Sequence, residues 1–344
     1  WIARVLDQLT PAQRAAVADV LDEPLPDAAG KRTLQALTPD ATYQPLAEQY
    51  LQAYLPKIGY ALPGGTLPFP IKVYRSTQNS WSKYGWAAAD AAPVDAKGKM
   101  ITEGSPAACR IRIFPIGLAS TAQFKQFAVA HEVFHCIQFA ILGNGWPYTA
   151  DWIMEGTPDW AASKILPGIP FEQAGDTYQT YLQTPTKSLF TRAYDAVGFL
   201  GAADAVTGDL WPRMRDIVAG SSASAFAAAG GQSRGFLEVW ASYLLRLDPS
   251  QAPWFQPLPW SVPTGKVSTP KTPISGNASL QAPAYANRLG SVVVPAKKPF
   301  ITIEVTNGPG RLNDAQTDVV LDPGSRDFCV RGGCVCPPGY RWPS

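Results

Sequence analysis

The stretch Ala130-His131-Glu132-Val133-Phe134-His135-Cys136 decides how this chain is read. His131 and His135 stand four positions apart, so on an α-helix their imidazoles rise from one face a turn apart and can grip a single metal ion. They are the only 2 histidines in 344 residues. Glu132, beside the first of them, can take a proton from a water held at the metal without itself being a ligand. The bland alternative is a hydrogen-bonded pair of core histidines. It would leave a buried His-Glu-His set without a cation, a costly cluster of polar groups.

Working outward, Ser120 reads as the N-cap of the helix carrying this stretch, with Gln123 completing a capping box. The helix is expected from about Thr121 to Leu142 and stops at Gly143-Asn144-Gly145, which suits left-handed backbone. Phe124, Phe127, Val133, Ile137, Phe139 and Ile141 cover most of its circumference. A helix apolar on so many sides belongs inside the protein, and its histidines with it.

A catalytic zinc site needs a third protein ligand and one open position. Glu155, 20 residues after His135, is the candidate, in the context Trp152-Ile153-Met154-Glu155-Gly156-Thr157-Pro158-Asp159-Trp160. Over about 40 residues this joint pattern resembles the gluzincin metallopeptidases, the group with thermolysin-like peptidases and an aminopeptidase branch. In them an HExxH helix is followed by a second helix with a Glu-Gly and an acidic residue four further on. The resemblance implies Zn2+ as cofactor, with His131, His135 and Glu155 as ligands and Glu132 as general base. It also implies Asp159 as the carboxylate that accepts the free N–H of one ligand histidine, His131. Pro158 departs from a smooth helix and leaves open whether one helix presents both Glu155 and Asp159; Thr157-Pro158 also reads as an N-cap and first helical position.

Peptide hydrolysis also needs a donor to the developing oxyanion. No third histidine exists, so tyrosine is the remaining choice. Tyr194, in Ala193-Tyr194-Asp195-Ala196-Val197-Gly198, resembles the Tyr-x-x-Gly-type segment of the aminopeptidase branch with its glycine one position late. Tyr148 is the rival. The Gly-x-Met-Glu-Asn strand that binds a free amine in that branch has no counterpart before His131, so an endopeptidase acting on peptides or proteins is expected. Its docking strand is expected at Arg110 to Phe114, where an extended peptide can add by backbone hydrogen bonds.

The rest of the chain bounds this reading. The length favours two domains. A net charge of +2 with scattered Lys and Arg gives no footprint for nucleic acid, and no apolar run approaches the roughly 20 residues of a membrane span. The fold class expected is α+β: a zincin-like metallopeptidase domain over 1–250, with a small antiparallel or mixed sheet and a helical subdomain. A Pro-rich strap over 251–274 and a β-sandwich-like module over 275–344 follow. Helices are expected at 10–21, 44–55, 171–182, 193–205, 210–218 and 235–247; strands at 71–74 and 109–114, and short ones at 288–294, 300–306 and 317–321. The excursion from Ser76 to Pro106 reads as a loop or hairpin, or as a wall of a substrate cleft.

Cys109 and Cys136 are expected to pair if the strand at 109 packs on the motif helix, with another pair drawn from Cys329, Cys334 and Cys336. The cysteine-rich tail, 33 prolines and 11 tryptophans suit a secreted or cell-envelope protein. A chain starting at Trp1 is expected to have been processed, any targeting signal lying before it. The competing function is a scaffold that keeps zinc structurally behind a plug, with the 76–106 loop or the strap as candidates; a third reading is a zymogen-like form whose N-terminal helices cover the cleft. Oligomeric state and cleavage preference are not written in the sequence.

Overall fold

The computed structural model describes residues 37–76, 88–166, 177, 180–232, 236, 272–274 and 290–292. Within them a four-stranded mixed sheet is backed by helices. β1 (Leu37–Pro39), β2 (Ile71–Ser76), β3 (Ala89–Val94) and β4 (Ala108–Ile113) lie in the order β1-β2-β4-β3. β2 and β4 run parallel; β1 on β2 and β3 on β4 are antiparallel. β3 falls inside the excursion read from sequence as a loop or hairpin, or a cleft wall, its Ala-Asp-Ala-Ala-Pro run having little β-propensity of its own. Pairing with β4 and burial against the helix behind it override that weak preference.

β4 alternates apolar with basic residues, the pattern of a half-buried strand, yet all six residues are buried. Cys109, Ile111 and Ile113 join the main core. On the other face Arg112 makes a two-pronged ion pair with Asp90, its strand partner, and sits over the Phe114 ring; Arg110 donates to the Gly98 carbonyl at 2.7 Å. The sheet order also overturns the docking strand expected at Arg110 to Phe114. β4 is flanked on both sides, so its backbone has no free edge to offer a peptide.

Helix α1 (Gln44–Ile58) runs three residues past its expected end, through Pro56. Tyr54 from this helix is fully buried, packs edge-on against Phe134 at 5.4 Å and donates its hydroxyl to the Ala130 carbonyl at 3.0 Å. The short α2 (Pro115–Ala119) leads into α3 (Ala122–Leu142), the motif helix. Its cap is Thr121, one residue later than read from sequence: Thr121 Oγ1 accepts from the Phe124 amide, and Gln123 is not in the reciprocal position. Every residue from Val129 to Phe139 is buried. A disulfide with an S–S distance of 2.03 Å joins Cys109 on β4 to Cys136, fastening α3 to the sheet one residue after His135.

Beyond a 3-10 turn at Gly143–Tyr148, the chain forms α4 (Asp151–Met154) and α5 (Gly156–Ile165). Glu155 is the junction between them, so a broken helix carries the second half of the motif. A 3-10 turn at Tyr194–Ala196 opens into α6 (Val197–Thr207); another at Trp211–Arg213 opens into α7 (Met214–Ala219), and α8 (Ser222–Ala228) follows, unforeseen in the sequence. Trp152, Trp160, Phe199, Phe226 and Phe236 fill the space among these helices, each burial stabilising by roughly 2 to 3 kcal/mol. Farther on, only β5 (Thr272–Ile274) and β6 (Gly290–Val292) are described, as a parallel pair. The helices expected at 10–21 and 235–247, the strands at 300–306 and 317–321, and the tail cysteines lie outside the described residues, except Phe236.

Candidate metal centre

α3 presents His131 and His135 from one face, as four-residue spacing dictates. Their Nε2 atoms lie 3.0 Å apart, and Glu155 Oε2 is 3.5 Å from each. Ligand atoms about 2.05 Å from a tetrahedral zinc are separated by roughly 3.3 Å. The triangle fits an ion of that size. Among the described residues this is the one group of three that can hold a metal.

The surrounding hydrogen bonds fix which way the rings face. His131 Nδ1 is 2.7 Å from Asp159 Oδ1, and a carboxylate only accepts, so Nδ1 carries the proton. His135 Nδ1 is 2.7 Å from Gln138 Oε1. The Gln138 amide nitrogen is committed to the Ile153 and Met154 carbonyls at 3.2 Å and to Thr157 Oγ1 at 2.9 Å, while Thr157 gives its own proton to the Ile153 carbonyl. Gln138 therefore turns its oxygen to His135, whose Nδ1 must donate. With both Nδ1 protons assigned by the network, both Nε2 lone pairs point at Glu155. Two lone pairs and a carboxylate converge with no donor among them, and Glu155 Oε2 is buried without a hydrogen-bond partner. Such a set could hold a metal ion, which would offset the cost of burying these acceptors together.

The titration behaviour of the metal-free groups carries the same message. Burial opposes charge on His131, but the hydrogen bond to Asp159 and the negative charge of Glu155, 3.5 Å from Nε2, outweigh it and hold its pKa well above the usual imidazole range. Burial would raise Glu155, yet the two imidazoles drive it well below the ordinary carboxylate range. Asp159 is raised by burial in spite of His131. Glu132 is pushed up to about 7, first by burial and in smaller part by the carboxylates of Asp90 and Glu155, against the pull of the histidines. A cation held in the triangle would take the place of the proton that His131 otherwise captures.

The Tyr194 ring stacks on His131 at 5.8 Å between centroids and 29° between planes. Its hydroxyl is held far above the normal phenol range, first by the negative charge of Glu155, then by burial of that end and the charges of Glu132 and Asp159. The residue as a whole is 47% exposed, so the ring faces solvent on one side while the hydroxyl sits among the carboxylates. Tyr148 ends the 3-10 turn and is 46% exposed. Both imidazoles are nearly enclosed; the Glu155 side chain, 26% exposed, marks the open side.

Sequence reading overlooked Gln138. Its signal was available: it lies three residues after His135, on the same helical face. Pro158, a source of doubt in the sequence, sits in the first turn of α5, where a missing N–H costs nothing. Asp159 is thereby brought under His131 even though Glu155 belongs to the junction. No protein-family model, no curated protein and no solved structure matches the chain.

Proposed function

We propose that the chain is a zinc-dependent peptide hydrolase of the gluzincin type, acting as an endopeptidase outside the cytosol. The observation that carries this is the acceptor-only convergence of His131, His135 and Glu155, with the buried carboxylate of Glu132 next to it on the same helix. A zinc ion held there would supply the positive charge that acidifies a water and polarises a carbonyl.

The chain's own groups would do the remainder. Glu132 accepts the proton of the attacking water and passes it to the leaving amine. Glu132 is buried next to His131, where it can serve both halves of that task. Asp159 and Gln138 keep the two imidazoles in the tautomer that leaves Nε2 bare. Tyr194, the better placed of the two tyrosines, donates its phenolic proton in a hydrogen bond to the carbonyl oxygen as negative charge grows there. Among the described residues β3 has no strand along its outer side apart from the Val94–Met100 bridge, which makes it, and not β4, the strand to which a peptide would add. The Cys109–Cys136 disulfide supports an oxidising compartment. No described helix is long and apolar enough to cross a membrane.

The test is cleavage of internally quenched peptides, abolished by a chelator, restored by zinc and absent in Glu132→Gln. Cleavage confined to free-amine chromogenic substrates would replace the endopeptidase assignment. Zinc binding without any hydrolysis would favour the scaffold reading.

A further inference from the structure

Tyr194 presents a problem of precision. A residue nearly half exposed is not held by packing alone, yet a hydrogen-bond donor to an oxyanion must be placed to within a fraction of an ångström. Its two flanks resolve this. Arg192, on one side, is 2% exposed, and Asp195, on the other, 5%. Arg192 Nη1 donates to Asp195 Oδ2 at 2.6 Å and to Thr184 Oγ1 at 3.2 Å; Nη2 donates to the carbonyls of Thr184 at 2.5 Å and Lys187 at 3.0 Å. The guanidinium lies 4.8 Å over the Tyr181 ring. Asp195 Oδ1 closes the loop by accepting the Ala193 amide at 3.0 Å, and Lys187 Nζ reaches the same carboxylate at 3.2 Å.

The opposite side of the turn is set by the metal-binding element itself. A β-carbon built on Gly156 would come within 2.9 Å of Ala196 Cβ and 3.5 Å of the Ala193 carbonyl oxygen. The Tyr194 turn therefore rests directly on the backbone one residue after Glu155. Any side chain at position 156 would lift the turn from the metal centre.

Resting on the hydrolase reading above, we infer that the buried Arg192–Asp195 pair is a positioning latch that fixes Tyr194 against His131 and Glu155. Buried ion pairs add little net stability compared with apolar packing, but here Nη1 and Nη2 of Arg192 and both carboxylate oxygens of Asp195 are hydrogen-bonded and impose one geometry. Fold stabilisation alone would not require the pair to straddle the residue that stacks on a candidate ligand.

The decisive experiment is a double-mutant cycle on cleavage of a quenched peptide by the zinc-loaded full chain. Asp195→Asn should lower kcat by about 10- to 100-fold with KM changed less than about 2-fold, and should lower it less than about 2-fold further in a Tyr194→Phe background. Equal losses in both backgrounds, or none in either, would overturn the latch. Gly156→Ala gives a second route that leaves the ion pair intact, and the same non-additivity with Tyr194→Phe is expected. A readout independent of hydrolysis uses protein labelled with 3-fluorotyrosine and loaded with Co2+. The fluorine resonance that Tyr194→Phe removes should carry a large paramagnetic shift, much reduced in Asp195→Asn. If the shift behaves so while no peptide is cleaved, the hydrolase reading fails and the latch stands. An unchanged shift in Asp195→Asn refutes the latch whatever the activity.

Discussion

Replacing Glu132 by Gln should stabilise the metal-free protein, and only above the pH at which a free glutamate ionises. Glu132 is 7% exposed and its carboxyl is pushed from 4.5 to about 7, chiefly by burial. The folded state thus holds its proton over a range in which the unfolded chain has already lost it. Folded-state proton binding exceeds unfolded-state binding between about 4.5 and 7, so this group's contribution to stability falls as pH rises through that window and levels off above it. The full loss corresponds to about 3 kcal/mol. Glutamine stays neutral throughout and escapes the loss. Metal-free Glu132→Gln should therefore match the wild type at pH 4 and exceed it by up to about 3 kcal/mol at pH 8, a rise in Tm of roughly 5 to 10 °C. Calorimetry in the presence of a chelator at pH 4, 6 and 8 measures this. Parity at pH 8, or one constant offset at all three values, would show that the carboxyl is not held in an unfavourable buried state.

Other outcomes follow from the same geometry. Gln138→Leu removes the acceptor for His135 Nδ1 and should weaken zinc binding by about 10- to 100-fold in a competition titration; unchanged affinity would mean that the ring needs no such support. Asp159→Asn should do likewise through His131, because the amide can present its N–H and reverse the tautomer. Replacing Cys109 and Cys136 together by Ala should cost about 3.5 kcal/mol in urea unfolding, as expected for a bridge spanning 27 residues. Tyr54→Phe deletes the bond to the Ala130 carbonyl and should cost about 1 kcal/mol while leaving the zinc stoichiometry unaltered.

The site was more legible in the sequence than the fold around it. Ligand spacing on a helix is dictated by backbone geometry, so His131 and His135 had to share a face once α3 was recognised from its apolar residues. Glu155 and Asp159 came from the resemblance, since spacing alone does not bring separate elements together. What was hidden depends on tertiary context. β3 has an alanine-rich sequence that no local preference makes a strand, and it forms because β4 offers its edge. Both faces of β4 are buried because Arg110 and Arg112 find partners, so an alternating pattern did not mean a solvated face. The docking strand was misplaced for the same reason, β3 occupying the edge that β4 was expected to present. The Arg192–Asp195 pair is three residues apart and unremarkable in sequence; its meaning comes from the turn it encloses.

The most direct test is the metal itself. Elemental analysis with a zinc-binding titration should find one zinc per chain in the wild type, and Glu155→Ala, whose side chain supplies the third acceptor, should bind at least about 100-fold more weakly. A wild-type chain that retains no divalent ion, or a Glu155→Ala chain that binds zinc as tightly, would contradict the account.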